Sequence, residues 1–195
     1  MVQTTGTGRG PGSPRDPETD RKIREATWKL IASHGYGALT FEAIAQAVGC
    51  SRTTLYRRYA SKSELVTSMF YNTIKAVAPI VEDDADPREM LITLVLIGID
   101  YLSGERGAAF LNVASIAQGS PELARVVDSH LAGVAPYYIS QLKKIAPNAS
   151  DDAIEFTLYT LIGSFLFHVA IRRQTLTPRQ IGHLVDQAIA LAKAD

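Results

Sequence analysis

The feature that most constrains this chain is its punctuation. Residues that cap helices recur along it, and after each of them apolar residues return three and four positions apart. Asp16-Pro17, Thr40, Ser51, Ser61, Asp86-Pro87, Pro121, Ser150 and Thr177-Pro178 mark the starts. Between these marks a period near 3.6 persists, and polar–apolar alternation never runs beyond a few residues. A chain patterned this way cannot lay one buried face on a sheet. The expected fold is all-α.

The first 77 residues hold four helical units. Ile23, Ala26, Thr27, Leu30 and Ile31 line one face of a helix that His34-Gly35 closes. Trp28 lies off that face and is expected to pack on a neighbouring helix. Phe41, Ile44, Ala45 and Val48 give a second helix of about two turns, ended by Gly49. Ser51 opens a third over 52–59. Ser61 with Glu64 forms a capping box for a fourth, running through Leu65, Met69, Phe70 and Ile74.

"EDDADP" at 82–87 breaks the composition. Beyond it come a helix from Pro87, a shorter one over 107–117, and a long one from Pro121 that Gly133 and Pro136 are expected to kink or break. A helix from Asp151, acidic at its start and basic at its end, and a last one from Pro178 complete the chain. The expected organisation is a disordered Gly/Pro-rich arm over 1–16, a three-helix unit over 17–62 with a linking helix over 62–81, and a larger helical domain over 82–195.

Charge divides the chain in the same place. The whole is neutral, yet residues 21–62 carry +6 and residues 63–195 carry −5. A basic module beside an acidic remainder points to nucleic acid as the partner of the basic part. The single cysteine, Cys50, excludes an internal disulfide and a four-cysteine zinc site, and is read as packing. The longest apolar charge-free run, 156–171, falls short of the roughly 20 residues that span a bilayer, and residues 1–20 hold no signal-like apolar stretch. A soluble, cytoplasmic protein is expected, with no membrane partner.

The basic residues concentrate in "SRTTLYRRYASKSEL", residues 51–65. With Arg52 at zero on a 100° wheel, Leu55 and Tyr59 fall together on the inner side. Thr53 and Arg57 lie opposite, flanked by Arg52 with Tyr56 and by Thr54 with Arg58. This outer face has no acid before Glu64. Arginine forks suit guanine edges or phosphate oxygens, and hydroxyls suit phosphates. A two-turn helix, a turn at Gly49 and this helix make a helix-turn-helix, whose second helix enters the major groove.

The stretch "GALTFEAIAQAVGCSRTTLYRRYASKSEL" resembles the N-terminal domain of the tetracycline-repressor (TetR) family of bacterial transcription regulators. Gly35, Leu39-Thr40, Ile44-Ala45, Val48-Gly49, Leu55-Tyr56, Tyr59 and Ser61-Lys62 keep that family's order and spacing over 17–77. The resemblance implies a repressor released from a palindromic double-stranded operator by a small molecule; the alternative is a ligand-binding or scaffold protein whose helix-turn-helix is vestigial. It implies phosphate contacts for Thr40, Tyr56 and Lys62, groove-facing roles for Arg52, Thr53, Thr54 and Arg57, and either role for Arg58. Arg57 departs from the family's frequent histidine or tryptophan, which leaves the base preference open.

The helix from Asp151 is apolar nearly all round. Phe156, Tyr159, Gly163, Phe167 and Ala170 form one of its two faces, and Ile181, Leu184, Val185 and Ala188 stripe the last helix. These residues are expected to form a homodimer contact, an assignment the resemblance shares. A polar line of Thr157, Thr160, Ser164 and His168 runs between the faces. It reads either as hydroxyls bonded within their own helix or as one wall of a ligand pocket. The pocket reading joins Tyr101, Phe110, Tyr137, Tyr138 and Tyr159 to Thr160, Ser164 and His168. The four histidines are scattered and no nucleophile-elbow or metalloprotease motif occurs. No enzyme activity, metal or cofactor is expected.

Overall fold

A computed structural model describes residues 16–77 and 85–194. The arm over 1–15, the end of the linking segment at 78–81 and the first part of the break at 82–84 lie outside the described residues. The described chain is built of helices alone: α1 (Pro17–Ala38), α2 (Phe41–Val48), α3 (Arg52–Tyr56), α4 (Lys62–Val77), α5 (Pro87–Ser103), α6 (Glu105–Ala117), α7 (Pro121–Ile145), α8 (Asp151–Leu166) and α9 (Pro178–Ala192). A π turn, Phe167–Ile171, continues α8.

The caps act as the sequence implies. Asp16 accepts from the Glu18 and Thr19 amides, Thr40 from Ala43, Ser150 from Ala153, and Thr177 closes a capping box with Gln180. The Ser61 box differs in one half. Ser61 Oγ accepts from the Glu64 amide at 3.1 Å, but Glu64 reaches past it to the Ala60 amide at 2.6 Å. α1 breaks at Gly35 (φ 79°, ψ 163°), as expected, and then resumes for one turn to Ala38. That backbone region is open to glycine and almost no other residue. α7, by contrast, runs unbroken through Gly133 and Pro136. The proline removes one backbone bond, but Val134, Ala135, Tyr137 and Tyr138 on either side of it pack on a hydrophobic core. That packing outweighs a single lost bond.

Two cores result. The first joins α1–α4 to Phe110 and Val113 of α6 and to Leu123 and Val126 of α7. Trp28 does pack on a neighbouring helix, its ring 5.0 Å from that of Phe70 on α4. Cys50 lies half-buried against this core. The second core holds α5, the later half of α7, α8 and α9. The helical unit that carries α3 therefore shares its interior with α6 and α7. Side-chain bonds reinforce the junction. The Tyr36 amide donates to Asn112 Oδ1 on α6 at 2.8 Å, and the Ser63 hydroxyl donates to the Glu122 carboxylate on α7.

Candidate nucleic-acid interface

α3 has only five residues, too few to be stable alone. Ser51 caps it by accepting from the Thr54 amide at 3.2 Å, and Leu55, fully buried, anchors it in the first core. The expected helix over 52–59 is shorter as a regular element. Its chain stays hydrogen-bonded to Tyr59, since the Arg58 and Tyr59 amides both donate to the Leu55 carbonyl at 2.9 Å.

On this anchor Arg52, Thr53, Tyr56 and Arg57 are exposed together. Tyr56 is 64% exposed, yet its ring stands edge-on to Phe41 with centroids 4.9 Å apart, which fixes where its hydroxyl can go. Arg52 lies 3.6 Å from Glu42, but both side chains are well solvated and such a pair is worth little. The Arg57 side chain finds no hydrogen-bond or ion-pair partner among the described residues. Thr40, on the surface at the start of α2, uses its oxygen to accept from Ala43 at 3.1 Å and keeps its proton for a further acceptor. Thr54 is half-buried with its hydroxyl 3.0 Å from that of Ser51, so it serves the cap more than the face.

Two predicted contacts are engaged elsewhere. Arg58 Nε donates to Asp20 Oδ1 at 2.6 Å and its Nη1 to the Thr54 carbonyl at 3.2 Å. Lys62 Nζ donates to the Tyr36 and Leu39 carbonyls at 3.4 and 3.3 Å and sits 4.3 Å above the Tyr36 ring. The Tyr36 carbonyl already accepts from the Leu39 amide at 3.1 Å, and the ammonium adds to its second lone pair at the C-terminal end of α1, where the helix dipole favours a cation. Arg58 lies just past the end of α3 and Lys62 at the start of α4. Sequence spacing could not show partners 38 and 23–26 positions away.

The residues predicted to line a pocket do not share one cavity. Tyr101 and Phe110 surround His130, a residue the sequence did not single out. His130 lies 5.5 Å from the Tyr101 ring, nearly parallel to it, 4.6 Å from Phe110 and 5.3 Å from Phe70. Burial pushes its pKa down to about 4, so it is neutral at pH 7. His130 Nδ1 and the Tyr101 hydroxyl are both buried without a hydrogen-bond partner among the described residues. Tyr101 also borders a depression of about 620 Å³, lined with Leu96, Ile97, Asp100, Gly104, Glu105 and Arg106. Tyr138 belongs instead to the second core, its hydroxyl donating to the Leu94 carbonyl at 2.8 Å, and Tyr137 packs on that core too.

Tyr159 and Thr160 are exposed on α8, and Ser164 bonds back to the Thr160 carbonyl at 2.8 Å. His168 falls in the π turn, which breaks the expected polar line, while Thr157 at its head is fully buried. An extra residue in a helical turn rotates the residues after it about the axis.

The residues predicted for subunit contact also divide. Phe156 (65% exposed), Tyr159 and Phe167 stand in the open, and a Cβ added at Gly163 would meet nothing within 4 Å. Ile181, Val185 and Ala188 are buried in the second core of their own chain, and Leu184 packs against it. The α9 stripe is therefore turned inward, because α5 and α8 already cover it. From Asp151 to Ile171 the helix and its π turn run 21 residues and contain an 18-residue window of mean hydropathy 1.6, long and apolar enough to cross a membrane by length and composition, where the charge-free run alone was too short. Its inner side, Ile154, Leu158, Leu161 and Phe165, is packed on this chain.

Residues 23–69 match the profile of the bacterial regulatory proteins of the tetR family. An HTH-type transcriptional regulator of Mycobacterium tuberculosis is 29% identical over 184 residues, 92% of this chain and 88% of that one. Among solved structures, the flavonoid-responsive regulator FrrA superposes with a TM-score of 0.70 at 21% identity, over 92% of this chain and 97% of the other. The transcriptional regulator FadR from Bacillus subtilis, in complex with stearoyl-CoA, gives 0.67 at 16% identity, over 90% and 98%.

Proposed function

The chain belongs to the TetR family of bacterial transcriptional regulators and is a DNA-binding regulator, and from that premise we propose that it is a cytoplasmic repressor that holds a palindromic operator as a homodimer and releases it when a small molecule binds. The observation that carries the reading is the face of α3. Two exposed arginines, a threonine and an orientation-fixed tyrosine stand on an element anchored by a fully buried leucine. Arg52 and Arg57 are the base-reading pair. Thr53 faces the groove beside them, while Thr40 and Tyr56 hold phosphates, and their hydroxyls fix the register.

The outer face of α8, with Phe156, Tyr159, Phe167 and Ile171 exposed, supports a second copy of the chain as its cover. That pairing would set two α3 helices one turn of DNA, about 34–36 Å, apart. The effector site is placed at Tyr101, Phe110 and His130. Two structural neighbours support a small-molecule effector, one named as flavonoid-responsive and one holding stearoyl-CoA. The site touches α4 through Phe70, and α4 leads directly to α3. A ligand that prefers one arrangement of these helices shifts the spacing of the two α3 helices. A hundredfold loss of operator affinity needs about 2.7 kcal/mol of coupling.

Selection of duplexes from a random pool by the purified protein tests this reading. Enrichment of a palindrome with half-sites about one helical turn apart is the expected result. A pool that emerges unenriched at physiological salt would sink it.

A further inference from the structure

We infer that Asp20 is a specificity-determining residue: it holds the Arg58 guanidinium against α1, so that the cation beside the reading face is withheld from DNA. The inference rests on the reading of α3 as the DNA-contacting element.

Arg58 lies just past the end of α3, next to Arg57. Its neighbour is solvent-exposed, while the Arg58 side chain is 14% exposed and its Asp20 partner 25%. The pair is short, 2.6 Å, and the same guanidinium also donates to the Thr54 carbonyl. Nε and Nη1 are thus both turned to protein. Asp16, one helical turn before Asp20, also lies close enough to Arg58 to interact with its charge. The first turns of α1 therefore present acid to the end of α3, from outside the reading face.

The consequence for recognition is a matter of what arginine does when unpaired. A solvated arginine beside a duplex takes a phosphate, which strengthens binding to every sequence alike and steepens its salt dependence. It carries no base information. By occupying Arg58, Asp20 lowers binding to arbitrary DNA and fixes the end of α3, so that Arg52 and Arg57 keep one register. An acid 38 positions away thereby raises the ratio of specific to non-specific affinity.

The test uses the full-length protein, the duplex it selects and a scrambled duplex of equal length, titrated across salt. For Asp20→Asn the scrambled duplex should bind several-fold tighter at low salt. The slope of log K against log salt should steepen by about one per protomer, and the operator preference should fall about tenfold. Asp20→Glu, which keeps the charge, should restore the wild-type slope. Arg58→Gln alone should leave the slope unchanged, and Asp20→Asn with Arg58→Gln should return it to wild type, a reversal that simple loss of stability would not produce. A wild-type slope and preference in Asp20→Asn overturns the inference. So does a flatter slope in Arg58→Gln, which would put Arg58 on a phosphate already. Wild-type protein with no preference between the duplexes overturns the DNA reading itself, and the inference with it.

Discussion

Two bare surfaces invite comparison, the outer side of α3 and the outer side of α8. The first shows Arg52, Thr53, Tyr56 and Arg57, and the second Phe156, Tyr159, Phe167 and Ile171. Water satisfies the first. An exposed arginine costs nothing, so α3 needs no partner to be stable, and whatever it binds is bound reversibly and against salt. Water does not satisfy the second. Apolar area left in solvent forgoes roughly 25 cal/mol per Å², and contiguous apolar patches mark contact surfaces. The contrast separates two kinds of partner: a conditional one, the DNA proposed for α3, and a standing one, the second copy proposed for α8.

The harshest way to break that contrast is to charge α8. Phe156→Glu with Phe167→Glu should raise the dimer dissociation constant at least a thousandfold, or about 4 kcal/mol. Sedimentation should then show monomers at micromolar concentration; intact dimers would show that α8 is not the standing contact. Next in size is the anchor beneath the reading face. Leu55→Ala should lower unfolding stability by about 3 kcal/mol, because a fully buried leucine leaves a cavity. Urea titration reads this, and an effect below about 1 kcal/mol would mean that α3 is held by its cap alone.

The third concerns the interior between the two surfaces. The pKa of His130 drops from 6.5 to about 4 on folding. The unfolded chain therefore binds more protons than the native one between those values. The associated stability is complete above pH 6.5 and is lost as pH falls towards 4, by up to about 3 kcal/mol. His130→Leu should flatten that segment of the stability–pH curve, and an unchanged curve would mean that the imidazole is not held neutral. The smallest effect, about 1–3 kcal/mol, is expected for Arg57→Ala on operator affinity, with looser sequence preference and unaltered dimerisation. Competition between selected and randomised duplexes reads it, and an undiminished preference would remove Arg57 from the reading pair.

How much of the molecule the sequence displayed depends on the range of the interactions. Caps, apolar stripes and the α3 face are settled within four residues of themselves, and Ser51, Leu55, Tyr56 and Thr177 behave as local rules say. The inward turn of Ile181, Val185 and Ala188 was invisible. A single apolar stripe is the same whether α5 of the same chain or a partner covers it. The intramolecular partners of Arg58 and Lys62 were invisible for a related reason. The cationic character of both side chains is local, but Asp20, Tyr36 and Leu39 reach them only through the packing of α1 on its neighbours. His130 carried no signal at all, being one histidine among four, and its meaning comes from rings delivered by α4, α5 and α6.

Gly35 has a consequence for anyone who would treat the reading head as a transferable part. Its missing side chain lets Asn112 come close enough to take the Tyr36 amide, and a Cβ there would lie 3.3 Å from the Asn112 amide group. The end of the first helix is thus finished by a residue 76 positions on, in α6. A chimera that moves residues 17–77 onto a foreign effector body would carry the arginines and the tyrosine across. It would leave behind the asparagine, and with it Phe110 and Val113 from the shared interior. Such a graft should read DNA well only where its new host offers an acceptor at the same place.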